Sequence, residues 1–390
     1  MEGKRFIHKI KLQNFLSYGS EGEEIELQPL NVLIGANTSG KSNLIESLGI
    51  LRATPTDLPA PFRQGGGVSE FLWKGGNEIP VAEIQVTVDY SEVTQSLDYK
   101  LKFTSTGQGL DLIDEVIENK SSNSSDNIVA DFYTNNRGSP TLSKGIKYIQ
   151  PISLTPNQSI LSQIKNTVQY PAISYLGNRF ANIALYREWG LAQISEIKKP
   201  QKSDLPGHPL LENGRNLGLF LNNLQYKIGN KVVIENLKKL DDAAEELRIE
   251  IHGATVQIFI CEEGLSQPIS ANRLSDGTLR YLFLMALLLD PNPPPLICLE
   301  APEIGLHPDI LPTIAEMLIK ASQRTQLIVT TYSDTLLSAL SEYPELVLIC
   351  ERDEKGSHLH RLEPDKLKDW LEKYTLGDLW RMGEIGGNRW

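Results

Sequence analysis

The chain has 390 residues, 40% of them hydrophobic and 22% charged, with a net charge of −11 and a pI near 5.2. This is the composition of an ordinary soluble globular protein, long enough to bury roughly three quarters of its unfolded surface if it forms one compact unit. The acidic balance argues against a constitutively tight electrostatic nucleic-acid binder, because phosphate contacts need clustered Lys and Arg. No run approaches the ~18 to 20 apolar residues needed to span a bilayer. Cys261, Cys298 and Cys350 lack disulfide or metal spacing, and the opening Met1-Glu2-Gly3-Lys4-Arg5 leads into a strand rather than a signal peptide. The expectation is a reduced, cytoplasmic protein with no membrane role.

In chain order, residues 5–34 read as two strands and a turn, the last apolar run being Asn31 to Ile34. Gly35-Ala36-Asn37-Thr38-Ser39-Gly40-Lys41-Ser42 then matches G-x-x-x-x-G-K-[ST], and Ser42 to Leu51 reads as a helix. Gly35 and Gly40 let the backbone curl so that successive N–H groups face an anion. Lys41 is placed to reach the β- and γ-phosphates, the Ser42 hydroxyl to ligate Mg²⁺, and Asn43 follows in the first helical turn. The nucleotide is expected to be ATP. Phe15 or Tyr18 is either a core residue or a neighbour of the adenine.

Gly65-Gly66-Gly67 and Gly75-Gly76 bracket a loop with one anchored turn. Residues 80–150 alternate, as in Ala82-Glu83-Ile84-Gln85-Val86-Thr87-Val88, and predict an antiparallel β-rich subdomain with a polar loop at 121–127. From about 155 to 250 the spacing predicts helices over Leu217 to Ile228 and Val232 to Leu247. Asn178-Arg179-Phe180 through Tyr186-Arg187-Glu188-Trp189 interleaves aromatics with arginines, which suits a packed lid helix or a stacking surface for nucleic acid.

Leu274-Ser275-Asp276-Gly277-Thr278 precedes the apolar run Tyr281 to Leu289, so a buried helix capped by Ser275 or Asp276 is expected. After the proline-rich turn 291–295, Leu296 to Leu299 predicts a central strand leading into Glu300-Ala301-Pro302-Glu303. Gly305-Leu306-His307-Pro308 precedes a helix over Asp309 to Lys320, and Gln326 to Thr330 predicts a strand ending in Thr331-Tyr332-Ser333. Three of the five tryptophans, Trp370, Trp380 and Trp390, crowd the tail, which suggests docking onto the head or a partner. The lysine clusters (Lys4, Arg5, Lys9 and Lys11; Lys198, Lys199 and Lys202; Lys238 and Lys239) are read as solvated charge, with weak DNA binding by an ATP-bound dimer as the alternative.

These segments, in this order, resemble the ABC-type ATPases. The resemblance implies that Ser275 and Gly277 touch the γ-phosphate held by an opposite subunit, so that ATP joins two copies. Aligned on Pro302, Glu300 takes the place of the Walker B aspartate as Mg²⁺ ligand, and Ala301 stands where a catalytic Glu polarises the attacking water. A register with Glu300 as base and Leu299 at the metal position breaks the Pro302 alignment. Slow hydrolysis, substitution by Glu303, or an alanine introduced to retain ATP all fit the sequence. Tyr332 stands where the family generally has a histidine that senses the γ-phosphate, and His307 is expected as a cross-interface contact, the alternative being a helix-capping turn.

Leu12-Gln13-Asn14-Phe15, Gly305-Leu306-His307-Pro308 and Leu376-Gly377-Asp378-Leu379-Trp380 narrow the resemblance to RecF-like, AAA-type standalone ATPases of the SMC/RecF/OLD superfamily. The 233 positions from Lys41 to Leu274 hold no sustained heptad, so a lid replaces a coiled-coil arm. Thirty-nine residues follow Glu351, too few for a Toprim nuclease. The expected fold is α/β, an ABC-type P-loop NTPase head with a β-rich subdomain and an inserted helical lid. The expected divisions are 1–80 (head with phosphate loop), 81–150 (β-rich), 151–260 (helical lid) and 261–390 (signature, Walker B and tail). The resemblance implies an ATP-binding homodimer or higher oligomer acting with a separate nuclease effector in DNA repair or anti-phage defence, as a DNA-linked switch or as an ATP-locked scaffold. A transporter head fits less well, because the tail and the lid have no membrane-coupling role.

Overall fold

The computed structural model describes residues 3–76, 78–90, 95–107, 109–120, 130–136, 139–144, 147–149, 154–187 and 191–387. The polar run at 121–127, Glu188, Trp189 and Trp390 lie outside them. The chain divides into two units. The first comprises Arg5–Ile183, Val347–Leu362 and the segment from Ile385; the second comprises Ala184–Leu346 and Glu363–Glu384, together with Lys4.

The first unit opens with three strands where two were expected: β1 (Ile7–Gln13), β2 (Glu23–Glu26) and β3 (Leu30–Gly35). In β1 the buried Ile7, Ile10 and Leu12 interleave with more exposed polar residues, whereas every residue of β3 is buried. That contrast separates a strand with one wet face from one covered on both. Helices α1 (Lys41–Ala53) and α2 (Pro59–Gln64) precede β4 (Ala82–Tyr90), β5 (Gln95–Thr106), β6 (Gly109–Lys120), β7 (Ala130–Asn136), β8 (Ser139–Lys144) and β9 (Lys147–Ile149). These form an antiparallel sheet in the order β2-β1-β4-β5-β6-β7-β8-β9, as the alternation predicted. Phe62 packs edge-on against Phe71 and Phe103, and Phe15 against Phe103, closing the core beneath this sheet. Helices α3 (Ile160–Gln163) and α4 (Pro171–Ala181) follow. Phe180 is fully buried between Phe6 and Tyr99, with the Arg179 guanidinium 4.9 Å from the Phe6 ring centroid. Within the arginine–aromatic stretch, Phe180 is core and Arg179 packs on Phe6.

The second unit runs β10 (Ala184–Tyr186), α5 (Leu191–Lys198), β11 (Gln201–Lys202), α6 (Leu217–Ile228), α7 (Asn230–Leu237), β12 (Ala244–His252), β13 (Thr255–Glu262) and β14 (Ile269–Ser270). The helix expected over Val232 to Leu247 therefore stops at Leu237, and its second half is the start of a strand. What was read as a purely helical lid carries an antiparallel sheet, β11-β13-β12, with β14 paired to β13. Next come α8 (Asp276–Leu289), β15 (Leu296–Glu300), α9 (Leu311–Ala321), β16 (Gln326–Thr330) and α10 (Asp334–Ser338). Strands β10, β15 and β16 pair in parallel, and the apolar run from Leu296 to Leu299 is wholly buried, as a central strand requires. Tyr186 packs edge-on against Phe283 of α8.

The chain then returns to the first unit as β17 (Val347–Asp353) and β18 (Gly356–Arg361). β17 is parallel to β3, with Cys350 opposite Gly35, and antiparallel to β18. Helices α11 (Pro364–Leu371) and α12 (Leu376–Met382) complete the second unit. A capping box of Thr375 and Asp378 starts α12. Gly377 lies so close to α10 that a Cβ would stand 2.2 Å from the Asp334 carbonyl oxygen. The Leu376-to-Trp380 segment is thus docked on α10. Trp370 remains 41% exposed, beside Tyr374.

Candidate nucleotide site

The phosphate loop leaves β3 at Gly35, where φ is +147° and a Cβ would sit 2.2 Å from the Cys350 carbonyl oxygen. Gly40, at φ +111°, starts α1, and a Cβ there would stand 2.4 Å from Ser357 Oγ. Only glycine fits either place. Between them Asn37 and Thr38 are exposed, and Ser42 is exposed just inside α1, where a hydroxyl can meet a ligand. The Lys41 ammonium is buried and folded onto the loop, donating to Gly35 O at 2.7 Å and Ala36 O at 2.8 Å. Burial holds its pKa below the usual lysine value. Asn43, expected among the nucleotide contacts, donates to Ser17 Oγ at 2.7 Å, and Ser357 Oγ donates to the same oxygen at 2.6 Å. Tyr18 is fully buried, its hydroxyl donating to Gly40 O at 3.1 Å, and Phe15 is equally buried. Both are core, and Tyr18 braces the loop from beneath.

Two cavities flank this loop within the first unit. One, of about 490 Å³, is lined by Ala36, Asn37, Thr38 and Ser39 together with the end of β17 and Gly387. The other, of about 440 Å³, runs from Ser17 and Asn43 to Trp73, with Arg352 on its far wall. The Arg352 guanidinium lies 6.0 Å from the Trp73 ring centroid. Nothing in the local sequence marks Trp73 or Arg352, because they meet only after folding.

In the second unit, Ser275 is the N-cap of α8, and its Oγ accepts the Thr278 N–H at 3.0 Å. From Leu279 to Leu288 every residue of the helix is buried, so its amino end is the part that meets solvent. Those leading N–H groups and the helix dipole favour an anion. Gly277 is needed for close packing: a Cβ there would stand 3.1 Å from Gly305 O.

Glu300 ends β15, and Ala301 follows at φ +46°, 5% exposed, its N–H donating to Thr330 O at 2.9 Å. Left-handed backbone at a residue with a Cβ is strained and uncommon. Glu303 turns back so that its Oε1 accepts the Tyr332 N–H at 2.7 Å, while its buried Oε2 has no hydrogen-bond partner. Tyr332 is half exposed, and its hydroxyl pKa is raised by burial first and then by the Glu300 and Glu303 carboxylates. It stays a neutral hydroxyl donor at physiological pH. His307 is exposed and caps the turn at Pro308–Ile310. Arg280, which sequence reasoning passed over, is 7% exposed; it donates to Ile304 O at 2.7 Å and lies against Gly305.

Oxygen donors of the Ser42 and Glu300 type suit Mg²⁺. Among the described residues no group of three or more His, Cys, Asp or Glu could hold a metal ion.

A family model described as "AAA domain, putative AbiEii toxin, Type IV TA system" matches residues 30–338, about four fifths of the chain. The chain belongs to this AAA family. Its fold is also that of a crystal structure of the SmcHead bound to the C-winged helix domain of ScpA, with a TM-score of 0.58 and 15% identity, over 93% of this chain and 99% of that one. A second, the Smc head domain with an extended coiled coil bound to the C-terminal domain of ScpA, derived from Pyrococcus furiosus, gives 0.55 at 13% identity, over 94% and 99%. Family and fold together make this an ABC-type P-loop ATPase head of the SMC/RecF/OLD kind. No curated protein matches the chain. Among the described residues no helix is long and apolar enough to cross a membrane.

Proposed function

We propose that this protein is an ATP-gated self-associating head whose nucleotide state is read by a separate effector protein. The observation that carries the reading is α8, a helix buried along its length that offers solvent only its capped amino end, with Ser275 exposed there. The one carboxylate in its first turn, Asp276, is engaged by Lys198 at 2.6 Å, and a triphosphate held on the Gly35–Ser42 loop of another copy supplies an anion for the leading N–H groups. In this reading Lys41 exchanges its two loop carbonyls for phosphate oxygens. Ser42 and Glu300 are the oxygen donors for Mg²⁺, which neutralises phosphate charge when bound. The cavity lined by Trp73 and Arg352 takes the base, which stacks on an indole or guanidinium face.

Turnover is slow in this proposal, because a methyl group at Ala301 cannot orient water. The same observation favours a second reading, a scaffold that ATP locks into oligomers. Stimulation of phosphate release by a partner or by DNA belongs to the switch; assembly by ATP without release belongs to the scaffold. A DNA surface draws little support: Lys9, Lys11, Lys198, Lys199 and Lys239 all pair with carboxylates. DNA repair and anti-phage defence rest on the family resemblance alone.

The test is molar mass in solution with and without ATP and Mg²⁺. The chain is expected to double its mass with nucleotide, and Lys41→Ala and Ser275→Arg are each expected to prevent that. A protein that stays monomeric at saturating nucleotide overturns the reading.

A further inference from the structure

Among the described residues, Arg280 Nε and Glu303 Oε2 in the second unit are buried polar atoms of opposite character, each without a hydrogen-bond partner. A buried guanidinium without a carboxylate, and a carboxylate oxygen without a donor, are each costly. Both sit on one clasp. Arg280, in the second turn of α8, donates to Ile304 O at 2.7 Å, and the preceding residue, Glu303, holds the Tyr332 N–H at 2.7 Å through Oε1. Two glycines make the clasp tight. Gly305, at φ +77°, has its missing Cβ within 3.0 Å of the Arg280 guanidinium carbon, and Gly277 faces the Gly305 carbonyl.

We propose that Arg280 and Glu303 are coupled positioning residues that transmit loading of the α8 amino end to Tyr332. The inference rests on the self-association reading above and adds its internal relay. Side chains on a helix lean toward its amino end, so Arg280 lies over the same face as Gly277, three residues earlier. An anion drawn onto that end shifts the first turns of α8, and the guanidinium moves with them. Arg280 Nε then supplies the donor that Glu303 Oε2 lacks, and the carboxylate carries the Tyr332 backbone with it. No covalent step is involved. Glu303 acts here by holding Tyr332 rather than as a base, since Oε2 is shielded from solvent and Oε1 is occupied.

The experiment is a double-mutant cycle on ATP-dependent association of the full chain, using Arg280→Gln, Glu303→Gln and both together. Each single change is expected to weaken association roughly ten-fold, and the double change no more than the worse single, because each leaves the other without its partner. Arg280→Lys should recover part of the loss by keeping the charge. Nucleotide binding by the isolated Arg280→Gln chain should match wild type, which separates a lost relay from a lost fold. If the two effects multiply in a protein that does associate, the coupling is wrong while the association reading stands. If wild type never associates with ATP, both are overturned.

Discussion

In the proposed function, turnover hinges on Ala301. Its φ of +46° is carried by any L-residue at that position, so glutamate there adds no backbone strain that alanine does not already bear. Ala301→Glu is therefore expected to fold and to release phosphate faster than the protein with alanine at that position. A positioned general base contributes on the order of 10²- to 10⁴-fold, so the gain should be at least tens-fold in a single-turnover assay with Mg²⁺. Equal rates would mean that the catalytic position has been assigned to the wrong residue. The candidate site could be proposed from the sequence because the phosphate loop, Ser275 and the Glu300–Glu303 segment are each runs of a few consecutive residues. Arg280, Trp73 and Ser17 were not legible, since Arg280 gains meaning from Ile304 and Gly305, Trp73 from Arg352, and Ser17 from Asn43 and Ser357. Periodicity carries no signal for such pairs. Nor could it show that Tyr18 braces Gly40 from inside the core.

Helix and strand periods were legible where burial was one-sided or complete, as in β1, β3 and β15, and failed where turn chemistry intervened. The apolar spacing of Val233, Leu237, Leu240 and Leu247 is helical throughout, with no Pro or Gly to stop it. The stop comes from Asp241, whose Oδ1 accepts the Ala243 N–H at 3.1 Å and turns the chain into β12. A second element-level feature is the junction of β5, β6 and α3. Glu115, fully buried in β6, accepts hydrogen bonds from the Tyr99 hydroxyl at 2.7 Å, from the Ile160 N–H at 2.9 Å and from Ser159 Oγ. Burial raises its pKa above the usual value, against the opposing pull of those donors. A raised folded pKa means that the stability from this group is complete below the unfolded value of ~4.3 and is lost as pH rises through the folded one. Glu115→Leu leaves the Ile160 N–H without its acceptor and should cost about 1–3 kcal/mol at the acid end. That deficit should shrink toward neutral pH in urea titrations of the two proteins. A deficit that grows with pH would show the carboxylate is ionised at no cost in the fold.

At the scale of the whole molecule, charge decides between a self-association held by nucleotide and a clamp held by DNA. Each copy carries −11, so two copies repel at long range, and that repulsion is screened as the Debye length falls from ~30 Å at 0.01 M salt to ~8 Å at 0.15 M. Contacts between a bound triphosphate and a helix end lie at short range and are screened far less. ATP-driven association should accordingly be unchanged or strengthened as salt is raised over that span. Binding that depended on neutralising DNA phosphates would behave oppositely, weakening steeply through counterion release. Mass measurements in ATP and Mg²⁺ across a salt series, with and without duplex DNA, separate the two. Association that collapses with salt only when DNA is present would assign DNA as a ligand of the dimer. Association that collapses without DNA would mean that exposed ion pairs, rather than the nucleotide and α8, hold the copies together.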